Sequence, residues 1–72
     1  MQTDEKLIMM ANQIAANFAI QGEGRAVPAI ADHIAKFWDP EMRRKFLAQA
    51  DKPEIALHPF LRKAVSLLVR PA

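Results

Sequence analysis

The tetrapeptide Phe-Trp-Asp-Pro at residues 37–40 is the strongest constraint on how this chain can fold. An amphipathic run ends at Trp38. Asp39 can accept hydrogen bonds from the free N–H groups of a helix's first turn, and Pro40 suits the first helical position because no N–H is needed there. Glu41 adds the negative charge that the helix dipole favours at this end. The sequence therefore predicts two helices that meet at a corner, with Trp38 at the hinge.

The chain is short and has no covalent or metal cross-link to support it. It contains 72 residues, two His and no Cys. We expect one domain over residues 1–72, without a disulfide and, because suitable ligands are so few, without a structural zinc site. A core of this size is usually marginal unless a disulfide, a metal or a partner supports it. The composition therefore favours association with another protein.

Charge and hydropathy argue against two classes of partner. Ten Lys and Arg against eight Asp and Glu give a net charge of +2, which is too balanced for a dedicated nucleic-acid-binding protein. No apolar run is long enough to cross a membrane, and the mixed-charge segment 1–6 does not resemble a secretory signal. We expect a soluble intracellular protein with neither a membrane nor a nucleic acid as its partner.

The first segment is patterned as an amphipathic helix. Its apolar residues recur at spacings of three and four: Leu7, Met10, Ile14 and Phe18. Thr3 or Asp4 is the expected N-cap. Asn12 falls off the apolar stripe, and we favour solvation over a hydrogen bond to a partner. The segment 20–24 contains both Gly residues and ends the helix, with one Gly expected in the left-handed conformation.

The second helix is expected over residues 25–38. Pro28 is most comfortable in a first turn, so we place the start near Ala26 or Val27. The apolar row of this helix is formed by Ile30, Ile34 and Phe37.

The second half of the chain predicts two further helices. The third covers residues 39–50, and Pro53 breaks the pattern after it. A fourth opens at His58-Pro59, ends at residues 70–72, and is apolar around more of its circumference than a small bundle needs. No segment has the alternation of a strand. The expected fold is all-α, a small bundle of three to four short helices.

No arrangement for catalysis, cofactor binding or metal binding stands out. Ser66 is the sole Ser and lies in the apolar fourth helix, so a Ser-His-Asp arrangement would need a pocket that a small helical domain lacks. Asp32 and His33 are adjacent, and adjacent helical residues do not face each other. We therefore predict no catalytic, cofactor-binding or metal-binding residue, and a protein that is not an enzyme.

A basic cluster in the third helix leaves a second interpretation open. Arg43, Arg44 and Lys45, with Trp38 nearby, could contact phosphates, as in a small basic-faced helical nucleic-acid-binding domain. We favour a solvated face instead, because the net charge is small and carboxylates such as Glu41 lie beside the cluster.

Three separated blocks carry a resemblance to a known family. Residues 9–15 with Phe18 contain M-A-N-Q-I-A-x-x-F, residues 31–43 read A-D-H-I-x-x-F-W-D-P-x-M-R, and residues 57–65 read L-x-P-x-x-x-x-A-V. In this order and spacing, over nearly the whole chain, they resemble the small delta subunit of NAD-dependent formate dehydrogenases that contain molybdenum or tungsten.

The resemblance implies a non-catalytic accessory subunit of a soluble cytoplasmic complex. In this family the alpha subunit oxidises formate and carries a bis-pterin molybdenum or tungsten centre and iron–sulfur clusters. The beta and gamma subunits carry flavin, further clusters and the NAD site. A chain without Cys would not ligate a cluster in the usual way. It would dock on the alpha subunit and support its assembly, stability or cofactor loading, with no cofactor of its own.

The corner is the expected contact with the alpha subunit. Trp and Arg are enriched at binding hot spots, although Trp38 could equally belong to the core and Asp39 could serve only as a cap. The apolar fourth helix and the small core also favour a partner surface. The candidate contact residues are His33, Trp38, Asp39, Pro40, Met42 and Arg43.

Overall fold

The structure, a computed structural model, describes residues 3–69 of the chain. Its elements are α1 (Asp4–Ala19), α2 (Glu23–Phe37), α3 (Pro40–Ala50) and α4 (Pro59–Leu68). The described part of the chain contains no strand. The prediction of an all-α bundle of short helices is confirmed, and residues 3–69 form four of them.

The first helix begins at a side-chain cap. The Thr3 hydroxyl oxygen accepts from the Lys6 N–H at 3.2 Å, which satisfies one of the donors that a first turn leaves without a partner. Asp4 and Glu5 follow in the first turn, where their charge suits the helix dipole. Of the two predicted caps, Thr3 is therefore the cap and Asp4 the first helical residue.

The connection from α1 to α2 differs from the prediction. α2 begins at Glu23, earlier than expected, so Gly24 and Pro28 both lie inside it. Pro28 cannot donate to the carbonyl of Gly24 four residues before it, but Gly24 is exposed and water can reach that carbonyl. The positive φ expected of one Gly occurs at Gly22, with φ 88°. This residue is the N-cap of α2, and α1 ends instead with Ile20 in right-handed conformation.

The corner between α2 and α3 is built as the sequence predicts. The Asp39 carboxylate accepts from the Met42 N–H at 2.8 Å, and Pro40 is the first helical residue of α3. Trp38 is extended and turns the chain away from α2. Its ring packs edge-on against Phe46, with centroids 5.5 Å apart, and the residue is only 5% exposed. The burial of Trp38 supports its role as a core residue over its role as a contact with a partner.

One hydrophobic core is shared by the four helices. The largest fully buried side chains are Leu7, Ile30, Ile34, Phe46 and Leu61. Half of the buried core residues are Ala: Ala11, Ala15, Ala26, Ala31, Ala50 and Ala64. Such small side chains allow close approach of the helices but bury little apolar area each. α2 has the most extensive packing, against α4 and then against α1.

The link between α3 and α4 is held by polar side chains from two helices. The Asn12 side chain donates to the Ala56 carbonyl at 3.0 Å and accepts from the His58 N–H at 2.8 Å. The Arg62 guanidinium donates to the carbonyls of Ala50 at 3.3 Å and Ile55 at 2.9 Å. The expectation that Asn12 would be solvated is therefore wrong, because the residue is half-buried and bonded within the chain.

α4 begins at a side-chain cap and ends with Val69 as its C-cap. The His58 ring nitrogen Nδ1 accepts from the Phe60 N–H at 3.1 Å, and Pro59 is the first helical residue. This confirms the predicted start. α4 ends at Leu68, and the predicted end at residues 70–72 lies outside the described residues.

Replacing Asp39 by Ala tests the corner. The substitution removes the acceptor for the Met42 N–H, and the free energy of unfolding should fall by about 1 kcal/mol, within a usual span of ~0.5–2 kcal/mol for N-caps. Urea unfolding followed by circular dichroism measures this. Asp32→Ala is the matched control, since Asp32 forms only an exposed ion pair with Lys36. Equal unfolding midpoints for the two variants would contradict the role of Asp39.

Replacing Asn12 by Leu tests the link. The change keeps the branch point at Cγ but leaves the Ala56 carbonyl and the His58 N–H without their partner. We expect a loss of about 1–3 kcal/mol and faster hydrogen exchange at the His58 amide. Asn17→Leu, at an exposed position of the same helix, is the control. Unchanged exchange at His58 in the Asn12 variant would show that other contacts hold the link.

Candidate functional site

The six predicted contact residues are placed differently by the fold. Asp39 and Pro40 are exposed, whereas His33 and Arg43 are half-buried. Trp38 is buried, and Met42 is half-buried against the core. Trp38 and Met42 therefore support the corner from inside and offer little surface to another protein.

Two of the six residues line an open groove between α3 and α4. Pro40 and Arg43 are joined there by Arg44, Leu47 and Leu68, and the groove has a volume of ≈ 290 Å³. We call this surface the basic groove. Its chemistry combines two guanidinium groups with aliphatic side chains, which suits a protein surface that is partly apolar and partly acidic.

His33 belongs to a different surface. Its ring lies 6.0 Å from that of Phe18 and 4.8 Å from that of Phe37, measured between centroids. His33 does not line the basic groove. The structure therefore separates His33, in an aromatic strip (Phe18, His33 and Phe37) on α1 and α2, from Pro40 and Arg43 in the basic groove on α3 and α4.

Phe37 is an exposed residue that the sequence interpretation placed in the apolar row of α2. It is 73% exposed, while Trp38 beside it is buried. The spacing contained a usable signal, because Ile30, Ile34 and Trp38 recur at every fourth position and define one face. Phe37 lies about 100° around the helix from Trp38. Further apolar exposure occurs at Ile20, Met9, Val69 and Leu67.

The basic cluster does not form a uniform positive face. Arg44 forms an ion pair with Glu41 at 2.6 Å, and Arg43 donates to the Ala35 carbonyl at 3.4 Å. The hydrogen bond from Arg44 and, next, its charge lower the pKa of Glu41 from its ordinary value, and the same contact raises the pKa of Arg44. The structure thus gives no support to the nucleic-acid-binding alternative.

The residues weighed for catalysis have other partners or lie apart. Asp32 pairs with Lys36 at 3.2 Å, His33 contacts two Phe rings, and His58 accepts the helix-capping bond from Phe60. Within residues 3–69, no group of three or more His, Asp or Glu side chains is arranged to hold a metal ion. None of the four helices in this range has both the length and the apolar character to span a bilayer.

The family comparison covers nearly all of this architecture. The model of the family described as NADH-dependent formate dehydrogenase delta subunit FdsD matches residues 6–65. The chain belongs to this family. Comparison with curated proteins and with solved structures gave no match. The resemblance carried by residues 9–15, 31–43 and 57–65 is therefore confirmed, and all three blocks lie inside the matched range of this FdsD-family chain.

The matched range contains the features that shape both surfaces. It includes the whole of α2 and α3, the corner at Asp39 and the link from α3 to α4. Of the residues that line the basic groove, Leu68 is the one outside it. This chain of the delta subunit family is thus a helical domain that carries both the aromatic strip and the basic groove.

The ion pair of Glu41 and Arg44 gives a pH-dependent prediction. Because the folded-state pKa of Glu41 is lowered, the pair stabilises the fold above the unfolded pKa, and this contribution disappears as the pH falls through the folded pKa. Arg44→Gln should move the Glu41 titration upward toward its ordinary range, as measured by NMR of the side-chain carboxyl. Arg43→Gln is the control and should leave the midpoint in place. The same midpoint in both variants would contradict the assignment to Arg44.

Proposed function

We propose that this chain is a non-catalytic accessory subunit of a soluble, cytoplasmic NAD-dependent formate dehydrogenase. It docks on the catalytic alpha subunit, in a complex that also holds the beta and gamma subunits, and it supports assembly, stability or cofactor loading. The single observation that carries the proposal is the family match over residues 6–65. The bis-pterin molybdenum or tungsten centre, the iron–sulfur clusters and the flavin belong to the partner subunits.

The make-up of the chain supports a role without its own redox centre. The sequence has no Cys, so the thiolates that normally hold iron–sulfur clusters are missing. Its two His residues are engaged by Phe rings and by a helix cap. What the domain offers to another protein is surface, including apolar side chains that a lone small domain would leave in water.

The basic groove is the proposed contact with the alpha subunit. Pro40 and Leu68 supply apolar surface, and Arg43 supplies a charge at the same place. Arg is enriched at protein interfaces because its planar group forms paired hydrogen bonds with carboxylates. We expect an alpha-subunit carboxylate beside Arg43. Trp38 and Met42 act indirectly, since their packing holds the start of α3 in position.

The first experiment is to purify the tagged chain from its native cell extract and to assay formate-dependent NAD reduction in the eluate. Co-elution of a large molybdenum- or tungsten-containing partner with the activity is expected. A chain that elutes folded, alone and without activity would overturn the proposal.

Replacing Arg43 by Glu tests the proposed contact. The reversed charge would face the expected carboxylate, and like charges across an interface are strongly unfavourable. We expect the affinity for the alpha subunit to fall at least about tenfold, equivalent to ~1.4 kcal/mol, with unchanged helical content by circular dichroism. Arg25→Glu is the control, at an exposed position in the first turn of α2 where an acidic residue suits the dipole. An intact, fully active complex with Arg43→Glu would exclude this contact.

A further inference from the structure

A second groove, with rim charges of the opposite sign, lies at the other end of α3. Its apolar floor is formed by Ile8 of α1 with Ile55 and Ala56 of the link, and its volume is ≈ 250 Å³. The carboxylates of Asp4, Glu5 and Glu54 form its rim, and no Lys or Arg among the described residues lines it. We call this surface the acidic groove.

The carboxylates of the acidic groove differ from most others in the chain. Elsewhere in residues 3–69, Glu23, Asp32 and Glu41 form ion pairs with Lys63, Lys36 and Arg44, and Asp39 caps α3. In contrast, the described range contains no ion pair of Asp4, Glu5 or Glu54. Asp4 accepts only from the neutral Gln49 amide, at 2.9 Å.

The cations nearest in sequence to the link are directed to other acceptors. Lys52 donates to the Gln49 side-chain oxygen at 3.4 Å. Arg62 donates to the backbone carbonyls of Ala50 and Ile55. Within residues 3–69, the rim carboxylates therefore form no ion pair. The positive groups of Lys52 and Arg62 instead donate to oxygens in or beside the link.

We propose that the acidic groove docks a segment of a partner subunit in which an apolar side chain is flanked by Lys or Arg. The apolar side chain covers Ile8 and Ile55, and the cation pairs with the Glu5 and Glu54 carboxylates. This inference rests on the proposed function, since it assumes that the chain is part of the enzyme complex. It adds a second contact to that of the basic groove.

The shape and charge of the groove favour this occupant. Its volume is below the roughly 300–1,000 Å³ of typical small-molecule pockets, so it suits a protein side chain better than a cofactor. An anionic segment would place like charge next to the rim carboxylates, which is unfavourable. A purely apolar segment would remove water from those carboxylates without supplying a partner, which is also unfavourable. A basic and apolar segment complements the rim and the floor together.

The basic groove and the acidic groove lie at opposite ends of α3. Pro40 and Arg43 of the basic groove lie at the start of α3, whereas Gln49 of the acidic groove lies at its end. Two segments of different charge can therefore bind the same small domain at once. The chain would then connect two parts of the enzyme complex, and binding at both sites would strengthen retention beyond either contact alone.

The test uses the assembled complex purified through the tagged chain. A photo-reactive benzoylphenylalanine replaces Ala56, which is exposed and lines the acidic groove. Mass spectrometry then identifies the cross-linked peptide. We expect a peptide of another subunit, with Lys or Arg beside an apolar residue. The same probe at Ala16, an exposed position of α1 that does not line the groove, should not capture this peptide.

Charge reversal provides the second measurement. Glu54→Lys should reduce the cross-link yield from position 56 about tenfold, because like charges then meet at the rim. Asp32→Lys, which reverses an exposed carboxylate outside the groove, should leave the yield unchanged. Higher salt should lower the yield with the native Glu54, since exposed charges are screened. Circular dichroism is used to check that each variant keeps its helical content.

The outcomes separate the inference from the proposed function. If formate-oxidising activity co-purifies with the native chain, three results would each overturn the inference alone: no cross-link from position 56, a cross-linked peptide without Lys or Arg, or a cross-link to a second copy of this chain. An unchanged yield with Glu54→Lys would do the same. If no activity co-purifies with the native chain, the proposed function fails and the inference fails with it.

Discussion

The two hydrogen bonds of the Asn12 side chain are the interaction on which the arrangement of the bundle depends most. They join the middle of α1 to the link before α4, at the Ala56 carbonyl and the His58 N–H. The link has no regular secondary structure of its own, so its backbone groups need side-chain partners. Arg62 supplies two more, to the carbonyls of Ala50 and Ile55. With the link fixed, α4 is placed against α2, where the bundle has its most extensive packing.

The same link also decides what the surface can do. Ile55 and Ala56 form part of the acidic groove because their backbone is held by Arg62 and Asn12. At the other end of α3, the Asp39 cap holds the first turn of the helix in place and thereby positions Arg43. The contacts that stabilise the fold are thus the ones that position both grooves. A small, Ala-rich core then gives a domain whose exposed side chains are available for a complex.

Membership of the formate dehydrogenase delta subunit family gives these surfaces a context. The sequence has no Cys, and the described residues show no cluster of metal ligands. The exposed ring of Phe37 and the two charged grooves instead provide distinct contact chemistries on a domain whose Cα radius of gyration is 11.1 Å. Our proposal is that the chain acts in the enzyme complex through these surfaces.

The sequence by itself determined the local features: helices that start close to Asp4, Pro40 and Pro59, the corner after Trp38, and the family. Caps and helix-initiating Pro residues act within one turn, so nearby residues are enough to predict them. The four-residue spacing was compatible with either Trp38 or Phe37 in the core, and the tertiary structure decided that Trp38 points inward and Phe37 outward. It also separated His33 from Arg43, and brought Ile8 to Ile55. These relations depend on how whole helices pack, and residues far apart in sequence meet only when the core and the link fix the helices in space.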